Sequence, residues 1–170
     1  LVDLGTVTGD GNLNAAVHSD VEGWPYRGAA LAAHLARIVS ALLGIATVSS
    51  AYLLGREVVP DEPSVALCAA GLTALNPMFL FVSGAITNDA LAIALCSLTV
   101  WLLVRALRRP PTLTGWVLRG ALVGLAALTK LSALALLPLS AIVALVVAAR
   151  HGWRNIGLAA LGGLTPLLAI

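Results

Sequence analysis

Charged residues are scarce in this chain of 170 residues, since Asp, Glu, Lys and Arg together make up 11% of it against roughly 25% in soluble domains. So little polar material cannot cover the surface of a water-soluble fold. Aromatic residues are also few, at 5%, although 59% of the chain is hydrophobic. The apolar content is mostly Leu, Ala and Val in long unbroken runs, which is typical of helices that cross a lipid bilayer.

Further absences exclude other classes of protein. Alternation of apolar and polar residues is missing, and a transmembrane β-barrel needs that pattern. The two cysteines, Cys68 and Cys96, lie in apolar runs without a CxxC spacing, so we expect inert buried thiols rather than a disulfide or a metal site. A net charge of +2, with the basic residues in short loops, does not indicate nucleic-acid binding. No Walker loop, zinc spacing or Ser/His/Asp order is visible.

The apolar runs predict an all-α fold, a polytopic transmembrane bundle of about six helices. About 20 apolar residues, at 1.5 Å each, cross a ~30 Å hydrocarbon core. The stretch 116–149 is too long for one span, so we expect two spans with a break near Lys130. The predicted helical segments are 31–54, 64–82 with a kink at Asn76-Pro77 whose amide caps freed carbonyls, 89–104, the two parts of 116–149, and a last helix from about Asn155.

Residues 1–30 differ from all that follows. They contain four acids and an aromatic cluster, namely Asp3, Asp10, Asp20, Glu22 and Trp24-Pro25-Tyr26. This composition favours a polar loop that ends at a membrane interface. The chain starts within this loop and stops within an apolar run, so we expect a segment of a larger protein. Residues 1–30 would be an extracytoplasmic loop remnant, and residues 31–170 a transmembrane domain truncated at both ends.

Basic residues orient the predicted spans, because short cytoplasmic loops are enriched in Lys and Arg. The loops around Arg56, at 105–109 and at 150–154 carry basic residues, and they alternate with loops that have almost none. This alternation predicts a multi-pass protein of the cytoplasmic membrane. It places residues 1–30, the turn at 83–89 and the break at Lys130 on the outer side.

Asp89 and Lys130 are the first candidate site residues, since they are the acid and the lysine that lie within apolar runs. An ionisable group at membrane depth is costly unless it is paired or lines a wet cavity, so a functional role is the first hypothesis. Structural alternatives stay open: Asp89 could cap the positive end of a helix, and Lys130 could reach the head groups from a helix end. His34 and Arg37, one turn apart, either face the same outer cavity or anchor the first helix at the interface.

Five short runs follow one another in a fixed order: LARIVS at 35–40, AYLLGR at 51–56, LNPMF at 75–79, SGAITNDAL at 83–91 and GALVGLAALTK at 120–130. In this order they resemble the GT-C superfamily of multi-pass membrane glycosyltransferases. The closest likeness, over roughly residues 31–149, is to bacterial members described as dolichyl-phosphate-mannose-protein-mannosyltransferase-like. The resemblance implies a bacterial inner-membrane enzyme that transfers a sugar from a polyprenyl-phosphate donor to an acceptor hydroxyl at the outer face.

The resemblance also implies roles for three residues. Asp89 matches an acidic position of the second outer loop that holds a divalent metal or orients the acceptor, so it is the predicted catalytic residue and a potential metal ligand. Lys130 matches a basic position near the lipid phosphate, where a cation would stabilise the leaving group, and Arg37 would assist it. The general base of such enzymes follows a helix that we expect upstream of residue 1.

Two alternatives from other functional classes stay open. In a transporter or flippase-like module, Asp89 and Lys130 would lie on an ion or substrate path near a helix break. No inverted repeat is visible between the halves of the sequence, which counts against this alternative. In a non-catalytic membrane scaffold, small-residue faces such as Gly120-xxx-Gly124 would pack against neighbouring helices.

Overall fold

The computed structural model describes residues 23–152, 157, 159 and 160. Within them, six α-helices and no strand occur, which confirms the all-α prediction. They are α1 Gly28–Val58, α2 Pro63–Ala74, α3 Pro77–Gly84, α4 Asn88–Arg108, α5 Leu113–Thr129 and α6 Leu136–His151, with a 3₁₀ helix, Leu131–Ala135, between α5 and α6. The four acids predicted in the loop remnant, and Asn155 with most of the predicted last helix, lie outside the described residues.

Several helices have the length and composition of membrane spans. In the described chain, α1, α4 and the segment Leu131–His151 are each long and apolar enough to cross a bilayer, and α2 and α3 together make a fourth candidate. Helix α5 is apolar but shorter. The break that bilayer thickness predicted near Lys130 is confirmed, since α5 ends at Thr129 and a 3₁₀ helix follows.

The burial pattern of helix α1 is the reverse of that in a soluble protein, where large apolar side chains are buried. Large apolar side chains such as Leu42 and Ile45 are exposed, while the buried positions are small or hydroxylated: Ser40, Gly44, Thr47, Ser50 and Gly55. The hydroxyls of Thr47 and Ser50 donate to carbonyl oxygens four residues earlier, at 3.0 and 2.8 Å. Small residues let helix backbones approach closely, and lipid covers the apolar exterior. This pattern fits a membrane helix.

The two cysteines differ in burial. Both are free, and Cys96 is half-buried on α4. Cys68 is exposed on α2, so the prediction that it is buried was wrong. An apolar run does not distinguish a helix face that packs on protein from one that faces lipid.

The bend between α2 and α3 measures 61° and confirms the kink predicted at Asn76-Pro77. Asn76 has an extended backbone just before α3, and its side-chain oxygen accepts from the N–H groups of Met78 and Phe79, at 3.0 and 3.3 Å. The amide therefore caps N–H groups of the following helix, and the prediction that it caps freed carbonyls was wrong. Residues before a helix supply oxygens to the unpaired N–H groups of its first turn, and proline is favoured at the first helical position.

Hydrogen bonds from side chains to backbone carbonyls connect the ends of neighbouring helices. Arg108 at the end of α4 donates from Nη2 to the carbonyl of Val58 at the end of α1, at 2.9 Å. The carboxyl ends of α1 and α4 therefore lie together. Asn88 at the start of α4 donates to the carbonyl of Thr129 at the end of α5, at 3.2 Å, so α5 runs antiparallel to α4. Helices α4, α5 and α6 enclose a buried cluster of Leu103, Ala106, Trp116, Val143 and Val147.

Candidate functional site at the ends of α4 and α5

Two helix boundaries meet at the candidate site. Thr87, with φ −136° and ψ 157°, precedes α4, and Lys130, with φ −153° and ψ 129°, follows α5. The N–H of Lys130 donates to the carbonyl of Ala126 at 3.0 Å, and its own carbonyl accepts from the N–H of Ala133 at 2.9 Å. The backbone of Lys130 is thus held on both sides, and its side chain leaves the helix beside the first turn of α4.

Asp89 and Lys130 form an ion pair across these two helix ends. Lys130 Nζ lies 2.6 Å from Asp89 Oδ1, and the two side chains are 49% and 38% exposed, respectively. The residues are 41 positions apart in the chain, and the sequence predicted that they share one face of the membrane. The ammonium keeps two further N–H groups, and the carboxylate keeps its second oxygen. The pair therefore has unused donors and an unused acceptor at a partly exposed position.

The contact bears on the structural alternatives for both residues. The hydrogen bond of Asp89 comes from Lys130 rather than from the first turn of α4, and the ammonium of Lys130 turns to Asp89 rather than away from the helix ends. Asp89 still lies in the first turn of α4, so the structural alternatives for both residues stay open. The catalytic and phosphate-binding roles of Asp89 and Lys130 stay predictions.

Arg37 lies at the height of this pair without contacting it. Arg108 at the end of α4 is hydrogen-bonded to Val58 at the end of α1. Counting back the same number of residues from each of these two leads to Asn88 on α4 and Ile38 on α1. The start of α4 is therefore level with Ile38. Arg37 is exposed on α1. In the described part of the chain, the ion pair formed by Asp89 and Lys130 does not include Arg37. Its role in binding the donor phosphate stays a prediction.

The amino end of α1 continues past the start of α4 and carries an aromatic cluster. Tyr26 stacks on His34 with ring centroids 3.7 Å apart. The rings of Trp24 and Tyr26 are nearly perpendicular, with centroids 5.6 Å apart. His34 Nδ1 lies 2.8 Å from the carbonyl of Ala30 and donates to it. The imidazole is therefore engaged in contacts near its own helix end. Trp24 and Tyr26 are residue types enriched at membrane interfaces.

The described residues around Asp89 do not by themselves make a site for a divalent metal. Such a site needs several oxygen or nitrogen ligands, and the described residues contain no group of three or more His, Cys, Asp or Glu that could hold one. One oxygen of Asp89 already accepts from the ammonium of Lys130, and a cation at that position repels a second one. A metal on Asp89 remains a prediction from the resemblance.

Arg119, which lies inside α5 and is 7% exposed, was not among the predicted site residues. Its Nε and Nη2 donate to the carbonyl of Leu102 at 3.1 and 2.8 Å, and Nη1 donates to the carbonyl of Gly115 at 2.7 Å. The signal was present, since an arginine within an apolar helix is as unusual as Lys130. Arg119 precedes Lys130 by 11 residues, about 16 Å along a helix, so it belongs to a different part of the bundle.

The comparisons with known proteins agree with the resemblance. The family model described as dolichyl-phosphate-mannose-protein mannosyltransferase matches residues 30–170, a region that includes Asp89, Lys130 and almost all of the described helices. No curated protein and no solved structure matches the chain. The apolar helices and the family together show a multi-pass membrane protein. The chain therefore belongs to the dolichyl-phosphate-mannose-protein mannosyltransferase family, whose members are membrane glycosyltransferases of the GT-C type.

Proposed function

We propose that this chain is part of an inner-membrane enzyme that transfers a sugar from a polyprenyl-phosphate donor to an acceptor hydroxyl at the outer face of the membrane. The observation that carries the proposal is the 2.6 Å ion pair between Lys130 and Asp89 at a helix break. It lies within the region that the family model matches. Ionisable residues inside membrane proteins generally mark functional sites.

Lys130 supplies the positive charge that this reaction needs. The acceptor oxygen attacks the anomeric carbon, the bond from that carbon to the phosphate oxygen breaks, and the electron pair of that bond stays on the phosphate. Donors placed where charge develops stabilise the transition state. The ammonium has three N–H groups, and one of them is directed at Asp89. The other two are available to donate to the phosphate.

Asp89 has a different role at the same position. Its second oxygen accepts a hydrogen bond from the acceptor hydroxyl and orients the attacking oxygen, while the contact with Lys130 holds the carboxylate in place. The hydroxyl proton leaves to a general base, which the resemblance places upstream of the described residues. Because orientation of a reacting group lowers the barrier to attack, a displaced or uncharged Asp89 should reduce turnover more than it reduces binding.

The test replaces Asp89 by asparagine in the full-length protein in membranes. Asp89→Asn preserves the shape of the side chain and removes its charge. With polyprenyl-phosphate mannose as donor, we expect transfer to fall on the order of 100-fold. Glu62→Gln is the matched control, since Glu62 is an exposed acid in the turn before α2, and it should leave transfer unchanged.

Two outcomes would count against different parts of the proposal. Normal transfer by Asp89→Asn, at an unchanged protein level, would leave Asp89 as a structural residue. Absence of transfer by the unsubstituted protein with any polyprenyl-phosphate sugar would reject the activity itself. It would favour the transporter-like alternative, which labelled-substrate flux in vesicles then measures.

A further inference from the structure

A cavity lies between α4, α5 and α6, away from the Asp89 and Lys130 pair. Its volume is about 370 Å³, within the range of roughly 300–1,000 Å³ found for ligand sites. Its walls are mostly apolar and include Leu103, Val123 and Leu137. Leu137 and Leu145, which also line it, are 47% and 57% exposed. Ala159 and Ala160 also line it, and among the described residues the cavity opens on the outer surface of the helices.

Two polar groups without partners in the described chain are buried in the wall of this apolar cavity. Trp116, which is 4% exposed, and Ser140 both line it. The indole Nε1 of Trp116 and the hydroxyl of Ser140 are buried, and neither has a hydrogen-bond partner among the residues described. Buried polar groups are nearly always paired in proteins, so an unpaired indole N–H at a cavity wall indicates an acceptor supplied from outside the described residues.

Arg119 adds to the same wall a positive charge without an acidic partner among the described residues, with its guanidinium carbon 5.8 Å from the ring centroid of Trp116. Three of its five N–H groups donate to the carbonyls of Leu102 and Gly115, which leaves one on each terminal nitrogen. Over the described ranges, no acid forms an ion pair with Arg119; the ion pair found there joins Lys130 and Asp89. A buried charge is normally paired with an opposite charge, so the missing partner of Arg119 is an anion.

The height of Arg119 in the membrane indicates what kind of anion this is. Helix α5 begins at Leu113, directly after the basic turn at 105–109, and Arg119 lies about 9 Å further along the helix. The head-group region is roughly 5–8 Å thick on each side of the bilayer. Arg119 therefore lies close to the boundary where lipid head groups meet acyl chains.

We propose that this cavity binds an anionic phospholipid from the leaflet on the side of the basic turn. One acyl chain fills the apolar cavity, and the phosphate accepts from the two free N–H groups of Arg119 and from the indole N–H of Trp116. The hydroxyl of Ser140 donates to an ester carbonyl of the same lipid. Basic pockets between membrane helices are known to bind such head groups, and charge-assisted bonds from arginine to phosphate are strong. The site is independent of the proposed transfer reaction.

The test measures lipid binding to the full-length protein in a mild detergent by native mass spectrometry. Phosphatidylglycerol is the anionic probe, and phosphatidylethanolamine with the same acyl chains is the zwitterionic one. We expect the unsubstituted protein to prefer phosphatidylglycerol, and Arg119→Met to weaken this binding by about tenfold or more, about 1.4 kcal/mol. Arg109→Met removes the same charge from an exposed position at the same end and should leave the preference intact.

Two milder variants keep the proposal testable if Arg119→Met disturbs packing against Leu102. Trp116→Phe keeps an aromatic ring and removes the N–H, and Ala144→Leu fills part of the cavity. Both should weaken phosphatidylglycerol binding. Unchanged binding in both, or equal binding of the two lipids by the unsubstituted protein, would overturn the proposal.

Discussion

Backbone hydrogen bonds hold Lys130 in place independently of its side chain. Its N–H and its carbonyl take part in hydrogen bonds with Ala126 and Ala133, respectively, so a substitution at this position changes the side chain without moving the helix break. The ammonium then contributes charge at one definite place beside Asp89. Substitutions of Lys130 therefore test the effect of its charge without displacing its backbone.

We expect Lys130→Met to weaken use of a polyprenyl-phosphate donor on the order of tenfold to a hundredfold. A charge-assisted contact to phosphate in a partly desolvated site contributes about 1.5–3 kcal/mol. Lys130→Arg should retain much of this contribution, because it keeps the charge. The measurement is the dependence of transfer on donor concentration in the intact protein, with equal expression of both variants. Unchanged donor dependence in Lys130→Met would mean that the lysine is an interfacial anchor.

At the residue scale, the sequence predicted some features of the site and missed others. Charge in an apolar run identifies Asp89 and Lys130, and the distribution of basic loops places them at one membrane face. Their contact could not be predicted, because it depends on α4 and α5 being neighbours across 41 residues. Arg119 was missed because the apolar residues around it keep the local hydropathy high. Its acceptor on Leu102 lies 17 positions away.

At the scale of helices, the crossing of α1 and α2 depends on one glycine. A Cβ placed on Gly55 would lie 2.7 Å from the Cα of Ala66, closer than such atoms approach in real structures. We expect Gly55→Ala to destabilise the protein by about 1–3 kcal/mol, since the backbone of α2 must move. The measurement is the midpoint of unfolding in a denaturing detergent.

Gly71→Ala is the matched control for this substitution. Gly71 also lies inside a helix, but a Cβ there meets no atom within 4 Å. Alanine is favoured over glycine in a helix by roughly 0.5–1 kcal/mol, so this variant should be neutral or slightly stabilising. Equal effects of the two substitutions would show that the close approach at Gly55 does not limit stability.

Helix breaks were predicted better than helix ends. The break at Lys130 follows from bilayer thickness, and the bend at Asn76-Pro77 follows from the conformational restrictions of proline. The first helix was predicted at 31–54 and spans Gly28–Val58, and the third was predicted at 89–104 and spans Asn88–Arg108. Arg56 and Glu57 were interpreted as the end of a span. A helix can continue through charged residues once it has left the hydrocarbon, because its backbone hydrogen bonds do not depend on the side chains.

At the scale of the whole molecule, the orientation in the membrane can be tested by labelling. In a chain with Cys68→Ala and Cys96→Ala, single cysteines replace Ile86, exposed before α4, and Pro110, exposed directly after the basic turn at 105–109. The positive-inside rule predicts that an impermeant maleimide added to intact cells labels Ile86→Cys and not Pro110→Cys. Both should react in permeabilised cells. The opposite pattern would place the Asp89 and Lys130 pair at the cytoplasmic face and reject the proposed outer site.

The length of α1 has a consequence for the membrane around the site. Its 31 residues measure about 46 Å, whereas the 21 residues of α4 measure about 32 Å, close to the ~30 Å hydrocarbon thickness. Because Arg108 joins the carboxyl ends of the two helices, nearly all of the excess lies beside Asp89 and Lys130. Because this excess carries His34 and Arg37, it projects beyond a bilayer of that thickness, and a thicker bilayer would cover more of it. The thickness of the surrounding bilayer would then set how deeply the ion pair lies below the head groups.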